Sequence, residues 1–178
     1  MNKANQTGPG DFVISGESVV SPAGNLEIER KFLVEHPRGD VEAGEGHQLK
    51  QGYLALTDTT EVRLRQMDTA YYLAVKLGQG FVRSEREIQL SGEQFEELWP
   101  ATKGKRIEKC RYLFAEGGCE LVYDVYGGGL AGLRTVEIEF SSEEAGLEYA
   151  PLEWFGHEVT GDRRYQNGQL AVNGVPAG

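Results

Sequence analysis

The sequence predicts a mainly β (α+β) protein, an eight-stranded antiparallel closed β-barrel with a few covering helices. Three observations lead there. From Asn25 onward, apolar residues recur with a period of two rather than 3.6. Turn-forming clusters punctuate that pattern: Thr57-Asp58-Thr59-Thr60, Gly78-Gln79-Gly80, Glu116-Gly117-Gly118 and Gly127-Gly128-Gly129. Helix-start signals are few, and the segments that follow them are short. Many short strands with helical decoration suit a closed antiparallel sheet.

Residues 1–24 are rich in Gly, Ser, Asn and Pro and read as a flexible N-terminal extension. The domain is expected over 25–176. Its strands are expected at 25–34, 48–57, 60–66, 70–77, 81–90, 105–115, 119–126 and 134–140. Ser91-Gly92-Glu93-Gln94 is a capping box that opens a helix to about Trp99, where Pro100 stops it. Ser141-Ser142-Glu143-Glu144 starts a second helix, and Thr160-Gly161-Asp162-Arg163 a third that runs to Ala171. Phe95, Leu98, Trp99, Leu147, Leu152, Trp154 and Leu170 are the side chains available to cover the apolar strand faces.

The chain has 178 residues with 18 Lys+Arg against 28 Asp+Glu, a net charge of −10. That balance argues against a general nucleic-acid binder, which needs a basic footprint. No apolar run approaches the ~20 residues of a membrane span, and the first residues lack the apolar centre of a signal peptide. The expectation is a cytoplasmic protein with no membrane partner, working as a monomer or a homodimer. Cys110 and Cys119 form no Cys-x-x-Cys pattern and read as reduced thiols. His36, His47 and His157 fall in expected loops, with no pattern that makes them ligands.

The polar strand faces carry the informative signal. An ordinary half-buried strand has a mixed polar outer face. Here that face is almost wholly ionised, with both signs recurring: Glu27, Glu29 and Lys31; Glu61, Arg63 and Arg65; Lys76; Arg83, Glu85 and Glu87; Lys109 and Arg111; Asp124; Glu137 and Glu139. One such strand is a solvated surface. A whole series on a closing sheet turns ionised groups toward a lumen, which is tolerable only if they are paired, hydrated or bound to ions. Carboxylates two apart on a strand suit hard divalent cations. Arg and Lys suit phosphate oxygens. Together they fit a metal–polyphosphate complex. No Gly-x-x-x-x-Gly-Lys-Ser/Thr loop is present.

Glu27-Ile28-Glu29-Arg30-Lys31 resembles the Glu-x-Glu-x-Lys signature of the CYTH, or triphosphate tunnel metalloenzyme, superfamily. The likeness continues in order through Gln51-Gly52-Tyr53, Glu61-Val62-Arg63-Leu64-Arg65, Val75-Lys76, Glu85-Arg86-Glu87, Lys109-Cys110-Arg111, Tyr123-Asp124, Glu137-Ile138-Glu139 and the run from Glu158 to Asn167. Arg86 stands where an uncharged residue is expected, and is expected to point outward. The spacing is most similar to that of the small bacterial members, whose usual activity is hydrolysis of inorganic triphosphate. The resemblance implies one or two Mg²⁺ or Mn²⁺ ions per site, with Glu27, Glu29, Glu85, Glu87, Asp124, Glu137 and Glu139 as candidate metal residues. It implies Lys31, Arg63, Arg65, Lys76, Arg83, Lys109 and Arg111 as ligands of a triphosphate-containing small molecule. Tyr53, Lys76 and Lys109 are the catalytic candidates.

Relatives have a Tyr–Lys pair proposed as acid/base machinery, and Tyr53 with Lys76 would match it. A nearby ammonium would lower the Tyr53 pKa; the other reading is a packing tyrosine that touches one phosphate. Arg163 and Arg164, on the helix that in this family can plug one tunnel mouth, read as surface or helix-packing residues. Two other functions fit the series: a class IV adenylate cyclase or thiamine/nucleoside triphosphatase on the same scaffold, and a non-catalytic polyphosphate or nucleotide binder. The first needs an aromatic pocket that the sequence does not show clearly. The second needs bases more than acids.

Overall fold

The computed structural model describes residues 28–79 and 82–177. The expected extension and Glu27 lie outside the described residues. All eight expected strands are present: β1 (Ile28–Leu33), β2 (His47–Leu56), β3 (Thr60–Met67), β4 (Ala70–Gln79), β5 (Val82–Leu90), β6 (Arg106–Glu116), β7 (Cys119–Tyr126) and β8 (Arg134–Phe140). They form one antiparallel sheet in the order β1-β8-β7-β6-β2-β3-β4-β5. The helices are α1 (Gly39–Glu42), α2 (Gly92–Leu98), α3 (Glu143–Glu148) and α4 (Asn167–Asn173).

The expected closed ring is not hydrogen-bonded shut among the described residues: β1 and β5 end the order. The reason lies at β1, whose outer edge is taken by the chain's own C-terminal segment. Leu33 N–H donates to His157 O (2.9 Å), Gly156 N–H to Leu33 O (2.8 Å) and Val159 N–H to Lys31 O (2.8 Å). The outward backbone groups of Lys31 and Leu33 are thus already satisfied.

The outer face of the sheet is the apolar one, as the alternation requires. Phe32, Leu121, Tyr123, Val136 and Ile138 are buried there, under Tyr149, Leu152, Trp154 and Phe155. Over the other half lies α2, opened by the capping box in which Ser91 accepts from Gln94 N–H while the Gln94 side chain accepts from Ser91 N–H. Phe95 is fully buried and stacks on Trp99, with ring centroids 5.0 Å apart. The close approach depends on Gly52, where a Cβ would lie 2.6 Å from Thr102 Oγ1 and 2.8 Å from the Trp99 ring.

Three expectations need correction. Leu147 covers nothing and is 85% exposed, on the solvent side of the short α3. The helix expected over 160–171 is broken: Asp162 caps a 3-10 turn (Arg163–Tyr165), Gln166 is extended (ψ 139°), and only then does α4 begin. Leu170 on α4 does not cover the outer face. It is buried with Ile107 and Tyr126, whose register places them beside the charged series on the inner face. The helix therefore enters one end of the inner space. Four-residue α1 was not expected, having no apolar period to betray it. Both cysteines are free, and Cys110 faces Val125 across its hairpin.

Candidate active site

Strand register collects the ionised residues on one side of the sheet. Cross-strand partners share a face, and the pairs Lys31–Glu137, Glu29–Glu139, Arg111–Asp124 and Glu61–Lys76 are each directly opposite. Arg86 alternates with Glu85 and Glu87 and is exposed beside Ile88, so it faces outward as expected.

The inner face has two walls. On β1, β8, β7 and β6, Lys31 Nζ lies 2.9 Å from Glu137. Asp124, with no exposure, accepts from Lys109 Nζ (2.5 Å) and from Arg111 Nε and Nη2 (both 2.8 Å). Arg111 also approaches Glu137 at 3.7 Å. On β3, β4 and β5, Arg63 reaches Glu85 at 2.8 Å, Arg65 reaches Glu87 at 2.7 Å, and Lys76 pairs with Glu85 at 2.9 Å. Both arginines span β4 to do so. Ala74 lies directly between Arg63 and Glu87 in the register, and its methyl group leaves room for the guanidinium groups to pass.

These contacts set the charge states. Burial opposes ionisation of Asp124, but Lys109 and Arg111 outweigh it and hold the carboxyl below the usual carboxylate range. Burial pushes the Lys109 ammonium down to about 8 despite Asp124. Burial would likewise lower Lys31, yet Glu137 and its neighbours raise it. Burial works against the Glu85 carboxylate, and Arg63 with Lys76 more than compensates. Arg65 is lowered by burial, by Arg63, and by Arg111, which lies across β2 on β6.

Arg63 and Arg65 each keep a buried Nε–H with no hydrogen-bond partner. An unsatisfied buried donor is costly. Two of them side by side, each on a cation, mark a place where anionic oxygen belongs.

The acids do not gather by themselves: no group of three or more Asp, Glu, His or Cys suited to a metal is present among the described residues. Glu85, Glu87 and Asp124 are engaged by bases instead. Glu29 and Glu139 are exposed and directly opposite each other, with Glu137 two residues along β8. Like charges so placed repel unless a cation lies between them. This oxygen donor set fits a hard divalent ion. Arg83 is placed on β5 opposite Gly78 by its backbone, and its side chain is outside what is described.

Tyr53 is open, by sequence, between an acid/base and a packing role. It is completely buried, its hydroxyl accepts a short hydrogen bond from Gln51 Nε2, and Lys76 is paired with Glu85. Burial, with Glu61, pushes its phenol up rather than down. Arg163 and Arg164 are surface residues, paired with Asp58 at 3.1 Å and Asp162 at 2.7 Å. Sequence reasoning passed over Gln51 and Tyr126. Gln51 sits between Arg65 and Ile107 on the inner face and is 2% exposed. Tyr126 lies two residues past Asp124, with its ring 5.3 Å from Lys109 Nζ and its hydroxyl donating to Asn167 Oδ1 (2.8 Å). Alternation with Tyr53 and with Asp124 was the available signal.

Comparison with known proteins agrees with this geometry. An inorganic triphosphatase of Nitrosomonas europaea is 48% identical over 150 residues, covering 83% of this chain and 97% of that protein. The chain belongs to the CYTH, or triphosphate tunnel metalloenzyme, family. An inorganic triphosphatase of Acetivibrio thermocellus is 36% identical over 151 residues, covering 83% of this chain and 94% of that one. A solved inorganic triphosphatase structure matches with a TM-score of 0.66 and 46% identity, covering 85% of this chain and 97% of that chain. No family model matches the sequence. The eight-stranded antiparallel sheet with its ionised inner face is thus the CYTH tunnel fold.

Proposed function

We propose that this chain is an inorganic triphosphatase, hydrolysing triphosphate to pyrophosphate and orthophosphate between the two charged walls with Mg²⁺ or Mn²⁺ as cofactor. The observation that carries the reading is the pair of unsatisfied Nε–H groups on Arg63 and Arg65, on the same sheet face as Lys31, Lys109 and Arg111. The similarity to inorganic triphosphatases supports it.

Arg63, Arg65, Lys76, Lys31, Lys109 and Arg111 bind the phosphates. Arginine forks grip two oxygens at once, and the lysines act as point charges. Asp124 keeps Lys109 and Arg111 aimed at the same space, as Glu85 and Glu87 do for Lys76, Arg63 and Arg65. Glu29, Glu137 and Glu139 hold the cation, together with Glu27 of the same sequence signature. When bound, the cation supplies Lewis-acid polarisation of a phosphoryl oxygen and eases deprotonation of water. Water attacks a terminal phosphorus, the P–O–P bond breaks, and the bases neutralise the departing pyrophosphate. Positioning and charge supply most of the rate in such a reaction. Tyr53, protonated and buried against Gln51, serves as a packing residue that holds the inner face in place, and a protonated phenol is no general base at neutral pH.

The folded unit is residues 25–176, acting on a small anion in the cytoplasm with no nucleic-acid or membrane partner. No described helix is long and apolar enough to cross a membrane. The test is phosphate release from tripolyphosphate with Mg²⁺ or Mn²⁺ in the wild type, Arg65→Ala and Glu29→Gln. Turnover should fall at least 100-fold in both variants, on the order expected when a positioned transition-state charge is removed. Wild-type turnover no faster than theirs would end the assignment.

A further inference from the structure

The tunnel wall carries a histidine that the charge series does not include. His47 opens β2 and sits directly opposite Arg111 on β6, so both side chains leave the sheet on the inner face. The neighbouring positions agree, since a Cβ on Gly46 would run into Cys110 and Tyr112, which belong to the outer side. The His47 side chain is 23% exposed, which places it where the inner space meets solvent.

The ring is held, not loose. His47 Nδ1 lies 2.7 Å from Asp68 Oδ2, while Asp68 Oδ1 accepts from Gln48 N–H at 2.9 Å. Asp68 is also fixed through its backbone: its N–H donates to Gln48 O (2.9 Å), and its carbonyl accepts from Gln66 Nε2 (2.8 Å). It is the one non-glycine residue with positive φ (51°) among those described. The β3–β4 turn is thus bent into an unfavourable conformation that delivers a carboxylate to the imidazole. A carboxylate on Nδ1 fixes the ring and leaves Nε2 for another partner. The charged groups facing His47 are Asp68 from that turn and Arg111 from β6, with Lys109 diagonal to it. On its own strand the next inner position is Leu49, opposite Met67.

We propose that His47, held by Asp68, is a further phosphate ligand at the tunnel mouth, working beside Arg111 to bind the outer end of the polyphosphate in its imidazolium form. This rests on the triphosphate reading above, but its test does not need turnover. A histidine changes charge within pH 5–8, whereas arginine does not. The mouth therefore gains a cation on acidification. Among the neighbouring bases Lys109, pushed down to about 8 by burial, also gains charge on acidification, but wild type and variants share it and it cancels in their ratio.

The experiment is calorimetric binding of inorganic tripolyphosphate in EDTA, where no metal-dependent hydrolysis intrudes, at pH 6.0 and 8.5. The wild-type-to-variant ratio at each pH cancels the titration of tripolyphosphate itself. His47→Gln should bind about fivefold more weakly than wild type at pH 6.0 and within about twofold at pH 8.5, as expected for loss of one partly solvated charge-assisted hydrogen bond. His47→Lys keeps a cation at both pH values, so it should match wild type at pH 6.0 and bind about fivefold tighter at pH 8.5. It also keeps the idea testable should His47→Gln not fold. Ratios for either variant that do not change between the two pH values would overturn the proposal. The triphosphatase reading fails separately, by absence of wild-type turnover with metal.

Discussion

Removing the charge of Asp124 should be the most damaging single change to the inner face. Its carboxylate has no exposure and accepts three hydrogen bonds from Lys109 and Arg111 at 2.5–2.8 Å. The Lys109 side chain is 1% exposed, so it has no route to water. Asp124→Asn keeps the shape but leaves one buried ammonium and one guanidinium facing a neutral amide, with Glu137 at 3.7 Å as the remaining counter-charge for Arg111. Breaking a buried pair from one side typically costs about 3–5 kcal/mol. At roughly 2–4 °C per kcal/mol for a chain of this size, the melting temperature should fall by about 6–20 °C. Thermal and urea melts at pH 7 would measure it. The double variant Lys109→Met/Asp124→Leu removes both charges and should recover part of the loss. An Asp124→Asn protein within about 1 kcal/mol of wild type would refute the reasoning, because it would mean that the pair is solvated like a surface pair.

Further predictions concern the parts that hold the walls in place. Gly52→Ala should cost about 1–3 kcal/mol in urea melts, since its methyl would sit 2.6 Å from Thr102 Oγ1 with Trp99 behind it. Ser91→Ala removes the hydroxyl that caps α2 and should cost about 1 kcal/mol by the same measurement. Glu158, hydrogen-bonded to Arg30 at 2.7 and 2.9 Å, has its carboxyl lowered chiefly by that contact. A depressed carboxyl contributes stability above its unfolded pKa, about 4.3, and loses it as the pH falls through the folded value. Glu158→Gln should therefore narrow the stability difference between pH 7 and acid, and an unchanged acid limb in pH-dependent melts would contradict the assignment.

Much of this was legible in the residues because a strand repeats every two positions. Glu61, Arg63 and Arg65 must share a face whatever the sheet does, and so must Glu137 and Glu139. The turn clusters at Thr57–Thr60 and Glu116–Gly118 marked where strands ended, whereas β4 runs on through Gly78 and Gln79. What could not be read was everything that depends on strand order. Arg63 meets Glu85 only because β4 lies between β3 and β5 and presents Ala74 at the crossing point. The sequence leaves Tyr53 open between an acid/base and a packing reading, because its burial, which raises the phenol, depends on neighbours such as α4, where a Cβ on Gly168 would lie 3.6 Å from the Tyr53 ring. His47 read as a loop residue because Gly44, Glu45 and Gly46 precede it. Its partner Asp68 is 21 residues away, in a turn whose backbone φ no spacing rule discloses.

The capture of the β1 margin by residues 156–160 reaches beyond this one molecule. A sheet with two bare rims can recruit copies at both and grow without limit. Here the Lys31–Leu33 stretch of one rim is spoken for by the chain's own tail, and β5 ends the sheet on the other side. Strand addition between identical copies that uses the β5 rim alone pairs that rim with itself and stops at two.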